Sequence, residues 1–190
     1  MSETQTSGSS HWVFGYGSLI WNPGFAYVTA RPALLIGAHR SLCIYSHHHR
    51  GTPDRPGLVF GLVPGGSCRG MAFEVADKDW PQVRDYLRER EQITSVYREA
   101  SRPIRFANSE TVKALAFLVD QSHAQYAGRL EIAEQLRMIE GARGDSGPNT
   151  EYVRNTVAHL LELGIRDRQL MALAELLSRP GGDVVVPETA

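Results

Sequence analysis

Trp12-Val13-Phe14-Gly15-Tyr16-Gly17-Ser18-Leu19-Ile20-Trp21-Asn22-Pro23 reads as a short strand that runs into a glycine-bracketed loop. Residues 11–14 are aromatic and β-branched, and Gly15 ends them. Two glycines let backbone N–H groups converge without Cβ interference, so the loop suits a tight turn or a small nest for an anion or oxyanion. Outward from it, residues 34–45 and 58–63 are apolar runs, the second followed by the turn residues Pro64-Gly65-Gly66. Residues 69–75 alternate, with Met71, Phe73 and Val75 on one face, and residues 112–119 alternate as well. Residues 97–106 form a weaker strand, because Pro103 favours an edge or a bulge. Residues 79–90 predict a helix with Asp79 as cap and Pro81 in the first turn. Further helices are expected over 129–139, over 151–163 with Asn149 or Thr150 as cap and Gly164 as stop, and after Asp167. The order is strands, one helix, two strands, then helices. Regular βαβ alternation is missing, which predicts an α+β domain with a mixed, strongly curved sheet or small barrel rather than a doubly wound parallel sheet.

The chain has 190 residues, a length that fits one domain. Residues 11–179 are read as that domain, 1–10 as a disordered lead-in and 180–190 as a tail. The lead-in has neither the basic nor the apolar region of a secretory signal. Lys and Arg number 20 against 21 Asp and Glu, which argues against nucleic acid as a partner. No apolar run approaches the roughly 20 residues of a membrane helix, so no membrane partner is expected. Cys43 and Cys68 lie in strand-like runs and read as buried thiols of a cytoplasmic protein, with one disulfide as the alternative.

Several familiar chemistries are excluded at the opening loop. A dinucleotide loop wants Gly where Ile20 stands, a P-loop wants Gly-Lys-Ser/Thr, and a nucleophile elbow wants Gly-x-Ser-x-Gly. Tyr86-Leu87-Arg88-Glu89-Arg90-Glu91 offers two carboxylates. One of them beside apolar walls could shuttle a proton, whereas a solvated helix end needs neither. His47-His48-His49-Arg50 invites a metal reading, but no HExxH or CxxC supports it, and a polar loop at a substrate entrance suits it better. Residues 141–152 form a Gly-rich turn that feeds a helix N-terminus, either an anion site or a plain turn with a cap.

The stretch Trp12 to Phe25 resembles the opening of the ChaC-type γ-glutamylcyclotransferases, which cleave glutathione. Arg50-Gly51-Thr52-Pro53 with Arg55-Pro56-Gly57, Gly66-Ser67-Cys68-Arg69-Gly70-Met71-Ala72-Phe73, Tyr86-Leu87 with Arg90-Glu91, and Gly147-Pro148-Asn149-Thr150-Glu151-Tyr152 are similar to further family stretches, in the family's order. The resemblance implies a γ-glutamylcyclotransferase-like small mixed β-barrel flanked by helices. It implies intramolecular attack of the γ-glutamyl α-amine on its own γ-carbonyl, giving 5-oxoproline and Cys-Gly. Glu91 would be the general acid/base, with Glu89 as the alternative. Tyr16, Gly17, Ser18, Leu19 and Tyr152 would bind the substrate, and Arg50 with the histidines would read its glycine carboxylate. No metal, nucleotide or redox cofactor is required, and the partner is a small molecule. Some relatives carry Gly-Gly-Tyr after the glutamate; here Gln92-Ile93-Thr94-Ser95-Val96-Tyr97 follows, which leaves the role of Tyr97 open. Two other readings stand beside this one: a cyclotransferase for other γ-glutamyl amides or dipeptides, and a non-catalytic γ-glutamyl-binding module. The sequence does not give the oligomeric state.

Overall fold

The computed structural model describes residues 10–91 and 95–178. Residues 1–9, 92–94 and 179–190 lie outside the described residues, which takes in the tail 180–190 and all of the lead-in 1–10 except Ser10, the first residue of the opening strand. The strands are β1 (Ser10–Gly15), β2 (Thr29–Ser46), β3 (Gly57–Ala76), β4 (Tyr97–Phe106) and β5 (Thr111–Val119). A two-residue pair, β6 (Arg143–Gly144) and β7 (Gly147–Pro148), makes a small hairpin. The helices are α1 (Trp80–Glu91), α2 (Ile132–Ile139), α3 (Asn149–Glu162) and α4 (Arg168–Leu176).

Five strands close a barrel in the order β1-β3-β2-β4-β5, with a parallel contact between β1 and β5 sealing it. The α+β barrel expected from the element order is what forms. Alternation along the strands sorts side chains to two faces. Val13, Phe73, Val75, Leu115 and Phe117 pack with Val83 and Leu87 of α1. Phe14, Ala72, Ala116 and Leu118 belong to the larger core, shared with Leu136 of α2, Val153 and Leu160 of α3, and Leu173 of α4. Full burial of a side chain such as Phe14 or Phe117 contributes roughly 1.5–3 kcal/mol.

Several sequence readings change. Pro64-Gly65-Gly66 does not reverse the chain; the runs on either side form one strand, β3, which follows β2 along a long bent hairpin. The register slips between Ile36 and Ala38, opposite Ser67 and Pro64. Gly37, Gly65 and Gly66 all have positive φ there, so the backbone bends within the ladder. β2 starts at Thr29, five residues before the apolar run that begins at Leu34, because Arg31 and Pro32 pair with Ala72 and Met71. β4 is not an edge strand; it meets β2 only at Phe106, Arg105 and Ile104, and Pro103 sits just past that short ladder, where no N–H is needed. α2 begins three residues later than expected, at Ile132, because Gln135 takes the Leu130 carbonyl through its side chain.

The helix stops and caps divide. Gly164 ends α3 at φ 69°, and Asp167 accepts from the Leu170 N–H at 3.1 Å, both as expected. Asn149 does not cap α3. Pro148 holds the cap position, and the fully buried Asn149 amide instead pairs with β3. It donates to the Leu58 carbonyl at 2.8 Å and accepts from the Leu58 N–H at 2.6 Å, as a neighbouring strand would. This bond fixes α3, and Tyr152 on it, against β3. Asn149→Ala leaves both Leu58 groups buried and unmatched. It should lower stability by about 3 kcal/mol, or roughly 6–12 °C in Tm at this size. Thermal and urea unfolding check this, and a loss within about 0.5 kcal/mol would show that the pairing does not hold the helix.

Candidate active site

The site is built where the first strand ends. At Gly15 a Cβ would press on Leu19 and Phe73 at 3.1 Å, and at Gly17 it would stand 3.3 Å from the Tyr152 hydroxyl. The chain then turns in a single 3-10 loop (Ser18–Ile20), closed by Ile20 N–H to the Gly17 carbonyl at 3.0 Å. The Ser18 and Leu19 N–H groups have no main-chain acceptor among the described residues. The loop is held from behind, since Arg40 donates to the Tyr16 carbonyl at 2.5 Å and to the Arg69 carbonyl at 2.6 Å. From the front, Arg90 donates to Ser18 Oγ at 3.0 Å.

A cavity of about 460 Å³ opens over this loop, inside the range of roughly 300–1,000 Å³ usual for small-molecule sites. Tyr16, Gly17, Ser18, Leu19, Arg50, Glu91 and Tyr152 all line it. Glu91 is the last residue of α1, and its side chain is only 16% exposed. Burial disfavours its charged form, and Arg90 beside it acts the other way, so its pKa lies above the usual carboxylate value. The negative end of the helix dipole works in the same direction as burial. Three tyrosines from three separate elements surround it, Tyr16 and Tyr152 buried and Tyr97 half-buried. Burial first, with the Glu91 charge adding to it, pushes all three phenols up, although the Phe60 N–H and Arg50 act the other way at Tyr152, so they stay protonated at neutral pH. Tyr97 donates to the Phe60 carbonyl at 2.8 Å, and the Phe60 N–H donates to the Tyr152 hydroxyl at 3.2 Å. One residue of β3, Phe60, thus fixes two of the three.

Arg50 lines the cavity beside Tyr152. Its guanidinium lies 5.2 Å from the Tyr152 ring centroid and donates to the Pro148 carbonyl at 3.3 Å. The arrangement offers free amides, a carboxyl largely withdrawn from water and a cation around one small cavity. Such a set can bind a carboxylated amide, stabilise an oxyanion and move one proton.

The family model described as ChaC-like protein matches residues 11–179. The chain belongs to this family. A glutathione-specific γ-glutamylcyclotransferase of Escherichia coli K12 is 31% identical over 156 residues, covering 82% of this chain and 68% of that protein. A protein of the same name from Schizosaccharomyces pombe is 31% identical over 170 residues, covering 80% of this chain and 83% of that one. A crystal structure of a yeast γ-glutamyl cyclotransferase specific to glutathione superposes with a TM-score of 0.81 at 23% identity, over 89% of this chain and 96% of that chain.

The residues read from the sequence fall in different places around this cavity. Glu89 is exposed and does not line the cavity, whereas Glu91 does. Tyr97 lines it too, although residues 92–94 between them lie outside the described residues. The turn at residues 141–152 has several of its N–H groups already engaged. The Asn149 N–H is taken by Ala142, and the Asp145 and Ser146 N–H groups by the carbonyls of His48 and His49. The turn clasps the histidine loop, and His49 Nδ1 lies 3.1 Å from Ser146 Oγ. Burial, with Arg50 alongside, lowers the His49 pKa, so the ring is neutral at pH 7. Among the described residues no three His, Cys, Asp or Glu side chains gather as a metal site. Cys43 and Cys68 are free and buried, and burial pushes the Cys43 thiol up to about 12. Sequence reading missed Arg90 as a site residue, and the Arg-Glu doublet was the only signal for it.

The raised Glu91 pKa has a stability consequence. The folded state holds the proton more tightly than the unfolded chain. Its contribution is fully present below the ordinary carboxylate pKa and is lost as pH rises through the raised folded value. Glu91→Gln should therefore melt like the native protein in acid. Above the folded pKa it should melt about 2–4 °C higher, equivalent to roughly 1 kcal/mol. Melting curves across pH check this, and a lower Tm for Glu91→Gln at neutral pH would contradict it.

Proposed function

We propose that the chain is a cytoplasmic, glutathione-degrading γ-glutamylcyclotransferase that releases 5-oxoproline and Cys-Gly. The observation that carries this reading is a proton-hungry carboxyl, Glu91, sharing one cavity with the unmatched Ser18 and Leu19 amides. The names of relatives at 31% identity support the substrate. Two buried free thiols suit a reducing compartment.

The chemistry follows from what such a substrate already contains. Its α-amine and γ-carbonyl belong to one residue, so attack closes a five-membered ring. Tethering of this kind is worth up to roughly 7–11 kcal/mol when the reacting atoms are well oriented. Glu91 as carboxylate takes a proton from the α-ammonium, and the freed lone pair forms the new C–N bond at the γ-carbon. The carbonyl oxygen becomes an oxyanion and accepts from the Ser18 and Leu19 amides. One such donor contributes on the order of 10²–10³ in rate. As the oxyanion collapses and the old amide C–N bond breaks, the ring nitrogen sheds its second proton, and the cysteinyl nitrogen departs as an ammonium carrying that proton and the one returned by Glu91. No water is consumed and no electrons change hands, so no cofactor is called for. Tyr152 and Tyr97 orient the substrate against the carboxyl, and Arg50 pairs with a substrate carboxylate. The raised Glu91 pKa suits both halves of this shuttle, because a strongly acidic carboxyl would be a poor base.

Purified protein with glutathione should yield equimolar 5-oxoproline and Cys-Gly. Glu91→Gln should lower kcat by roughly 10²–10⁴ with little change in substrate affinity. Mass-resolved product analysis decides it, with a panel of γ-glutamyl amides alongside. Turnover of another γ-glutamyl compound alone would change the substrate. Tight binding without product from any of them would favour a binding module.

A further inference from the structure

We propose that Arg90 is a positioning residue that locks the loop after β1 to helix α1 and holds the Glu91 carboxyl in place beside it. The inference rests on Glu91 as the base. The glycine loop and the carboxyl come from different elements, and the reaction needs both within one substrate's length of each other. Arg90 is the side chain that spans them. Its Nη1 donates to the Asn22 carbonyl at 2.8 Å, the Pro23 carbonyl at 3.2 Å and the Tyr86 hydroxyl at 2.9 Å. Its Nη2 donates to Ser18 Oγ at 3.0 Å, and its Nε lies 3.4 Å from Glu91 Oε1. Every guanidinium nitrogen is engaged, four contacts reaching the loop and its helix neighbour and the fifth reaching the base. Adjacent helical residues normally diverge. Here the arginine stem folds across the last turn of α1 and brings its charge to the carboxyl next door.

A second feature shows that the loop is shaped for this clamp. Gly24 has φ +74°, and a Cβ there would fall 2.0 Å from the Tyr86 hydroxyl and 3.4 Å from Arg90 Nη1. Only a glycine lets the backbone close on the Tyr86–Arg90 pair. The electrostatic side agrees. The titratable groups facing Glu91 are Tyr16 from the loop, Tyr97 from β4 and Tyr152 from α3, all neutral at neutral pH. Arg90 is the cation that opposes burial at this carboxyl. It therefore has two separable parts, a charge that any cation could supply and a planar fork that lysine lacks.

The test uses Arg90→Gln and Arg90→Lys in the full-length protein. Arg90→Gln should move the acid limb of kcat/KM to higher pH and cut kcat/KM below the limb at least tenfold. Arg90→Lys should keep the limb near that of the native protein but raise KM about tenfold, because an ammonium cannot hold the loop oxygens together. A readout independent of turnover is the ¹³C carboxyl titration of Glu91, assigned by its loss in Glu91→Gln. Its midpoint should rise in Arg90→Gln and hold in Arg90→Lys. An unmoved midpoint in Arg90→Gln, or identical profiles for the two variants, would overturn the proposal. If the native protein turned over no γ-glutamyl compound, the function would fail while the titration still decided the part played by Arg90.

Discussion

A carboxyl withdrawn from water at the C-terminal end of a helix is disfavoured twice, once by desolvation and once by the helix dipole. Glu91 occupies that position, and much of the surrounding structure consists of what is needed to keep it there. Arg90 supplies a compensating charge within 3.4 Å, and Val83 and Leu87 fasten the helix to the sheet through the cluster around Phe73 and Phe117. The same burial that lowers stability raises the affinity of the group for a proton.

The barrel meets a second requirement, which is to bring distant stretches to one cavity without slack. Phe60 receives a hydrogen bond from Tyr97 and gives one to Tyr152, so a single residue of β3 sets the spacing of two phenols. Asn149 ties the start of α3 to Leu58, two residues earlier on the same strand. The bent β2–β3 hairpin carries Arg40, which braces the glycine loop from outside the cavity. Strand, loop and three-residue turn thus act as one rigid frame around a small space, as a preorganised site requires.

Much of this was legible in the sequence because it is local. Alternation at Met71, Phe73 and Val75 and the Asp167 cap are short-range patterns, and the structure holds both. The glycine loop and Glu91 were legible through family resemblance, which reads several distant stretches together. What escaped depends on partners far along the chain. Pro64-Gly65-Gly66 has turn chemistry, but the partner strand runs past it and makes it a bulge. Asn149 has cap chemistry, but a β3 peptide 91 residues away competes for its amide and wins because both are buried. Arg90 reads as one more charge at a helix end until the loop carbonyls of Asn22 and Pro23 come within reach.

Ring closure in a dry pocket and hydrolysis by a bound water use similar groups, and they differ in where an oxygen comes from. Turnover of glutathione in ¹⁸O-enriched water separates them, with the acidic product read by mass immediately on release. The account predicts 5-oxoproline that carries no heavy oxygen, formed together with Cys-Gly. Glutamate carrying one heavy oxygen would mean that water, not the substrate's own amine, attacks the γ-carbonyl.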